Sequence, residues 1–393
     1  SYPGMIDELL DCLILDHLPT KQSLQRVMSE LVKGAHIEGQ ELIDVLLAFK
    51  HAQHLRVGVR EILGKDSLAD SHKALSDIID ICLQEIAHEL YQQLVEKHGQ
   101  PTIEGGKQDG AVASLVMVGL GKLGGQEPNF HSDVDIIFLY EGAGTTQPLR
   151  RNHKIRQTSN HHFFNELAKR ILQTVTRTRP HGRLFDMDSK LRATQQHAPL
   201  AISIDDYETY LQTAKVPLWQ TMGLCKARIL LGSDTGKQRT RSVISSAIQN
   251  LRDRSNLKTD IYQTRIESET GATDRNLKRF QGGTMDVETI VQMLHLLHGQ
   301  THPIQPTGTV EALETLCEHG LLAEEDATAL AKSYVFLRRV ESGLRLMDTT
   351  HRHDLPSEEL ELEKLASLLG YESPQSLVTV CRRYRQDNRQ RFE

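Results

Sequence analysis

The chain has 393 residues, of which 38% are hydrophobic and 25% charged, and its formal net charge is -6. That size accommodates two or three domains. The acidic balance excludes wholesale wrapping by nucleic acid, so any polyanion site must be local. No apolar run reaches the ~18 residues of a membrane span and no signal-peptide pattern opens the chain, so no membrane partner is expected and the expected compartment is the cytoplasm. Five widely spaced cysteines (Cys12, Cys82, Cys225, Cys317, Cys381), with no Cys-x-x-Cys, exclude the usual zinc spacings and fit a reducing compartment. The start, Ser-Tyr-Pro-Gly rather than Met, suggests a piece of something longer.

Residues 1–100 read as an N-terminal helical region. Pro19 to Lys33, Glu38 to Leu63 and Ser67 to Lys97 carry apolar residues at three- and four-residue spacing, the pattern of helices with one buried face. Gly99-Gln-Pro101 ends that region. Residues 101–235 change texture. Ser114 to Leu120, Val134 to Tyr140 and Arg183 to Leu191 are short, bounded by turn residues, and are expected to be strands. A polar segment with Arg150, Arg151, Lys154 and Arg156 follows the second strand; it reads as a solvated loop, with a lid or docking surface as the alternative. A helix is expected from His161 to Thr176. From Asp205 the chain is helical again, including a helix carrying Lys226 and Arg228. Residues 236–393 read as a C-terminal helical bundle. Its last helix starts at Ser373 and Pro374, a cap followed by proline at the first helical position. The basic end of that helix (Arg382, Arg383, Arg385, Arg389, Arg391) is expected to be a solvated face.

The chemistry concentrates between Val118 and Tyr140. Gly119-x-Gly121-x-x-Gly124 follows a strand and matches the dinucleotide fingerprint, with Glu141 at the end of the next strand. Length argues against that reading. A parallel crossover needs at least ~10–12 residues including its helix, and the segment from Gln126 to Ser132, broken by Pro128 and Asn129, is too short. A Walker A loop fails as well, because Leu123 follows Lys122 where serine or threonine is required. What fits is a carboxylate pair on one strand. Asp133 and Asp135 share a face because side chains alternate along a strand, and two like charges side by side call for a cation or a proton between them. A third carboxylate would complete a two-metal site. Asp186 and Asp188, two apart on the third expected strand, both offer one, and Arg192 at that strand's end could neutralise phosphate.

These motifs resemble the glutamine synthetase adenylyltransferases, bifunctional bacterial regulators of the DNA polymerase β-like nucleotidyltransferase superfamily. The similarity rests on Gly-Leu-Gly-Lys-Leu-Gly-Gly-x-Glu-x-Asn-x-x-Ser-Asp-Val-Asp from Gly119. It continues in family order through Phe49-Lys-His-Ala-Gln-His-Leu-Arg-Val57, Leu184-Phe-Asp-Met-Asp-Ser-Lys-Leu-Arg192, Trp219 with Lys226-Ala-Arg228, and Gly282-Gly-Thr-Met-Asp-Val-Glu288. The fold it implies is α+β and mostly α: a small mixed-sheet nucleotidyltransferase domain between the helical regions. The activity it implies is transfer of AMP from ATP to a tyrosine hydroxyl of glutamine synthetase. The alternatives are removal of that AMP by phosphorolysis and a non-catalytic nucleotide- or partner-binding module. The resemblance selects Asp188 over Asp186, so that Asp133, Asp135 and Asp188 hold Mg²⁺, with two ions expected. Gly121, Lys122, Gly124, Gly125 and Ser132 would cradle the ATP phosphates, and Arg192, with Lys226 or Arg228 as further candidates, would counter phosphoryl charge. Trp219 is expected in the core. Glutamine synthetase is the implied partner, and the PII signal protein a second one that the family allows. The chain departs from the family pattern at His131, Lys190, Ala193, Gln220 and Thr289, none of them a proposed metal ligand.

Overall fold

The computed structural model describes residues 17–38, 41–148, 156–189, 199–213, 216–252, 254–298, 307–347 and 353–393. The chain divides into two compact units. The first takes the described residues of Ser1–Pro128, Ser132–Ala214 and Ala227–Ser245; the second takes those of Asn129–His131, Lys215–Lys226 and Ser246–Glu393. The fold is α+β and mostly α, as expected. Among the described residues no helix is long and apolar enough to cross a membrane.

In the first unit, α1 (Lys21–Glu38), α2 (Leu42–Ile62) and α3 (Leu68–His98) pack on one another. The three helices expected to form a separate N-terminal region thus lie in the same unit as the sheet. A capping box starts α3: the Ser67 hydroxyl accepts from the Asp70 amide while the Asp70 carboxylate accepts from the Ser67 amide. The helix buries Leu75, Ile78, Ile79, Cys82, Leu83 and Ile86 along one stripe. A short β1 (Gln100–Pro101) leads to β2 (Leu115–Gly119), all five of whose residues are buried. A one-turn helix, α4 (Gly121–Gly124), and a loop connect it to β3 (Val134–Tyr140), the strand whose ends the sequence predicts to the residue. Beyond β4 (Thr146–Gln147), which pairs with β1, comes α5 (Asn160–Thr176), capped by Ser159. Its Phe164 ring stacks on Tyr140 with centroids 4.9 Å apart, and α3 packs alongside it.

The remaining strands are β5 (Met187–Ser189), β6 (Ala201–Ser203) and β7 (Arg228–Leu231), with α6 (Ile204–Leu211) after β6. The main sheet runs β5-β3-β2-β7, and β6 also pairs with β3. Strand β2 is antiparallel to β3 and to β7, whereas β5 and β6 run parallel to β3. The strand β7 corrects the expected helix at Arg228: only α7 (Leu218–Gly223) and a 3₁₀ turn over Leu224–Lys226 are helical there. Helix α8 (Asp234–Arg252) follows, beginning in the first unit and ending in the second.

The second unit contains α9 (Leu257–Ser268), α10 (Thr284–His298), α11 (Thr309–Glu318), α12 (Glu324–Met347), α13 (Glu359–Leu368) and α14 (Pro374–Phe392). Ser373 caps α14 and Pro374 occupies its first turn, as predicted. The basic face of α14 is exposed as expected at Arg382 and Arg383 and differs from expectation at the other three arginines. Arg385 is buried over the Phe280 ring, Arg389 pairs with Glu269 at 2.7 Å, and Arg391 pairs with Asp326 at 3.0 Å. Asp286, fully buried in the first turn of α10, accepts from the Gly282 amide at 2.8 Å and pairs with Arg265. In the same unit Arg345 donates to the carbonyls of Phe130 and His131 at 3.1 and 2.8 Å.

Candidate active site

Strand β2 ends at Gly119, where the backbone turns sharply. Gly121 has φ of 54°, in the left-handed region. A Cβ placed on it would lie 2.8 Å from Oδ2 of Asp135, so the bare glycine backbone lies directly against that carboxylate. The Leu120 amide donates to the Asp135 carbonyl at 2.9 Å, which ties the turn to β3 a second time. Leu123 is completely buried and packs against Gly119. The amides of Gly124 and Gly125 donate to the carbonyls of Leu120 and Gly121, so these two glycines serve the turn itself through their N–H groups. Lys122 is half-buried. Gln126 and His131 also have positive φ, at 55° and 53°, which costs energy for residues with side chains and marks both ends of the loop before β3 as tightly constrained.

The register of the parallel pair is decisive for the carboxylates. Asp135 stands opposite Asp188, and Val134 opposite Met187. Registered residues on neighbouring strands share a face, and residues two apart along a strand do too. Asp135 and Asp188 are therefore lateral neighbours on one face, and Asp133 immediately precedes the strand, two positions ahead of Asp135. Asp133 and Asp188 are exposed and Asp135 half-buried, while the intervening Val134, Ile136 and Met187 are buried on the opposite side. Asp186 forms an ion pair with Arg183, and its carbonyl accepts from the Val134 amide at 2.7 Å. The structure thus gives Asp186 a partner of its own and leaves Asp188 beside Asp135.

Among the described residues no group of three or more His, Cys, Asp or Glu side chains forms a ready metal cage. Magnesium seldom requires one, since it is usually held by one or two carboxylates together with substrate phosphates and water. Hard oxygen donors at Asp133, Asp135 and Asp188, with the Gly121 backbone clearing space beside Asp135, suit that ion. Arg192 lies outside the described residues, as do Lys190, Ala193, Arg150, Arg151 and Lys154. Ser132 is buried next to Asp133 in sequence.

Three expectations change. Arg228 donates to both oxygens of Asp80, to Ser76 and to the Leu123 carbonyl, partners that account for its guanidinium without a phosphate. Lys226 is buried in the second unit, donating to Thr309 at 2.8 Å with Glu288 3.8 Å away. Trp219 is 47% exposed rather than in the core, because only one side of the six-residue α7 packs. Sequence reasoning also missed Lys50. This side chain of α2 is buried and donates to the carbonyls of Arg183 and Leu184, both at 3.0 Å, just ahead of Asp186 and Asp188. Burial pushes its pKa down, partly offset by Cys82 and Asp186. The signal was available: Lys50, like Asp80, the partner of Arg228, is a charge on an otherwise apolar helix face, and buried charges require partners.

The dinucleotide reading is excluded by topology. Strands β2 and β3 are antiparallel, whereas that fold needs a parallel crossover between them. Glu141, which would have to meet a ribose, is 3% exposed and accepts from the Ser114 amide at 2.9 Å. The family model of glutamate-ammonia ligase adenylyltransferase matches residues 1–243, more than half of the chain and all the residues of this site. The chain belongs to the glutamate-ammonia ligase adenylyltransferase family. A second model, of the PII-uridylyltransferase GlnD, matches residues 254–391, within the helical second unit. The curated relatives carry the name bifunctional glutamine synthetase adenylyltransferase/adenylyl-removing enzyme. The one from Xanthobacter autotrophicus is 30% identical over 353 residues, which cover 89% of this chain and 34% of the relative. That from Ralstonia nicotianae is 27% identical over 393 residues, covering 93% and 40%, and that from Nitrosococcus oceani 29% identical over 364 residues, covering 90% and 36%. The chain therefore spans between a third and two fifths of the length of these adenylyltransferase relatives.

Proposed function

We propose that this chain is a nucleotidyltransferase module that transfers AMP from ATP to a tyrosine hydroxyl of glutamine synthetase in the cytoplasm, with the PII signal protein as a regulator. The observation that carries the reading is the lateral pairing of Asp135 with Asp188 beside the bare backbone of Gly121. Magnesium held by Asp133, Asp135 and Asp188, with two ions in the working complex, would withdraw charge from the phosphate oxygens. The chain's own residues do the rest. The turn at Gly121 and Lys122, with Ser132, receives the phosphates, and Arg192 counters the charge that develops on them. The tyrosine oxygen forms a bond to the α-phosphorus as the bond to the β-phosphate oxygen breaks. Pyrophosphate leaves, and the hydroxyl proton passes to the exposed Asp188 carboxylate or through it to water.

The phosphorolytic reading uses the same site in reverse sense: phosphate attacks the adenylyl phosphorus, tyrosine leaves with a proton, and ADP is released. Asp286, whose spacing to Glu288 resembles the transferring module, is buried in an ion-paired cluster. It has a structural task here and favours neither direction. The test is this chain with glutamine synthetase and ATP labelled in the α-phosphate, run with magnesium. Covalent label on the synthetase is expected. ADP released only from adenylylated synthetase plus phosphate would reverse the direction, and nucleotide binding without any product would make the module non-catalytic.

A further inference from the structure

The one-turn helix α4 is too short to maintain its own geometry. Helix nucleation fixes several dihedrals for one hydrogen bond, and four residues recover little of that cost. Its shape must therefore be imposed from outside. On the strand side Leu123 packs on Gly119, and the Leu123 carbonyl accepts from the Gln126 amide at 3.2 Å. The same carbonyl accepts from Arg228, through Nη2 at 3.0 Å and Nε at 3.3 Å. Arg228 begins β7, opposite Gly119 of β2. Its guanidinium is held in turn by Asp80 of α3, through two bonds of 2.7 and 2.9 Å, and by the Ser76 hydroxyl at 2.9 Å. Asp80 is 1% exposed, and Lys21 of α1 also donates to its Oδ2. One planar fork thus joins a buried carboxylate to a turn carbonyl.

We infer that Arg228, oriented by Asp80, is a positioning residue that sets the glycine turn at the height and angle needed to receive nucleotide phosphates. The inference rests on the nucleotidyltransferase reading and deepens it. A stabilising role alone explains the arrangement poorly, because a buried ion pair adds little net stability over well-packed apolar groups. Geometry explains it better. Only a rigid, multi-donor fork spans two carboxylate oxygens, a hydroxyl and a carbonyl at once, and a lysine ammonium is a point charge that must forfeit some of them.

The experiment compares Arg228→Lys and Asp80→Asn with a control, Arg60→Lys. Arg60 is more deeply buried than Arg228 and makes its own two-point pair with Asp66, at 2.6 and 2.8 Å, in the same unit. Two quantities are measured on the chain: amide exchange of the segment 120–127 and the KM for ATP in the labelling assay. The expected result is about tenfold faster exchange in that segment and a KM raised about tenfold for Arg228→Lys and Asp80→Asn, with kcat less affected. Arg60→Lys should leave both near wild type while costing comparable thermal stability. Equal effects on the turn in all three variants, or an unchanged turn in Arg228→Lys, overturn the inference. A wild-type chain that binds no ATP overturns the proposed function instead, and the exchange contrast still decides whether Arg228 holds the turn.

Discussion

The carboxylate of Asp135 occupies the place where a side chain on Gly121 would begin, with only 2.8 Å between Oδ2 and the position of a Cβ. Gly121 also has φ of 54°, which side-chain-bearing residues rarely adopt. Gly121→Ala must therefore displace either the turn or the aspartate. The expected outcome is a fall in AMP transfer of roughly hundredfold, the size seen when reacting groups are misplaced by about an ångström. A thermal melt close to wild type would show that the loss lies in the site.

Asp186 and Asp188 are equivalent in spacing and different in surroundings. Asp188→Asn removes the lateral partner of Asp135 and should lower kcat on the order of a thousandfold. Asp186→Asn loses a surface-side pair with Arg183, worth roughly 0–1 kcal/mol, and should retain most activity. Steady-state labelling of the two variants side by side checks the assignment.

Lys50 holds the segment that leads into β5 through two backbone carbonyls. In Lys50→Met the apolar stem is preserved and the two acceptors are left in a buried place, a cost of about 1–3 kcal/mol. The variant should melt several degrees lower and lose kcat more than ATP affinity, because the disturbed segment carries Asp188 and not the glycine turn. Chemical denaturation and a KM-against-kcat comparison separate the two effects.

His295 in α10 has its pKa lowered to about 4 by burial alone. Between that value and the ordinary 6.5 the unfolded chain binds a proton that the folded chain does not. Stability therefore rises with pH across this window and is lost as pH falls from about 6.5 towards about 4, by on the order of 1–3 kcal/mol. His295→Gln should flatten that slope, measured as denaturation midpoints at a series of pH values.

The boundaries of β3 and the start of α14 were legible because each has a local cause: a short apolar run over Val134 to Tyr140 that is buried at every position but Asp135, and a serine cap followed by Pro374. Strand β7 was not. Arg228-Ile-Leu-Leu231 offers only three apolar residues after helical turns, and periodicity cannot tell so short a strand from a helix end. The aspartates were visible as a pattern along one strand. Their lateral pairing was not, because the register between β3 and β5 is set by pairing between distant segments. The ion pairs of Arg389 and Arg391 were not legible for the same reason: their partners Glu269 and Asp326 lie far away in sequence. The Gly282-Gly283 signature has a purely steric basis. A Cβ on Gly282, whose φ is 73°, would fall 1.7 Å from the Arg385 carbonyl of α14, and one on Gly283 would fall 2.5 Å from the Lys278 carbonyl.

The two facing aspartates sit on unequal supports. Asp135 belongs to a seven-residue strand bonded along both edges, to β2 on one side and to β5 and β6 on the other. Among the described residues, Asp188 belongs to a three-residue strand at the sheet's border, bonded along one edge. Opening of the sheet is cheapest where the fewest backbone bonds must break. The backbone that carries Asp135 is therefore held more firmly than the backbone that carries Asp188.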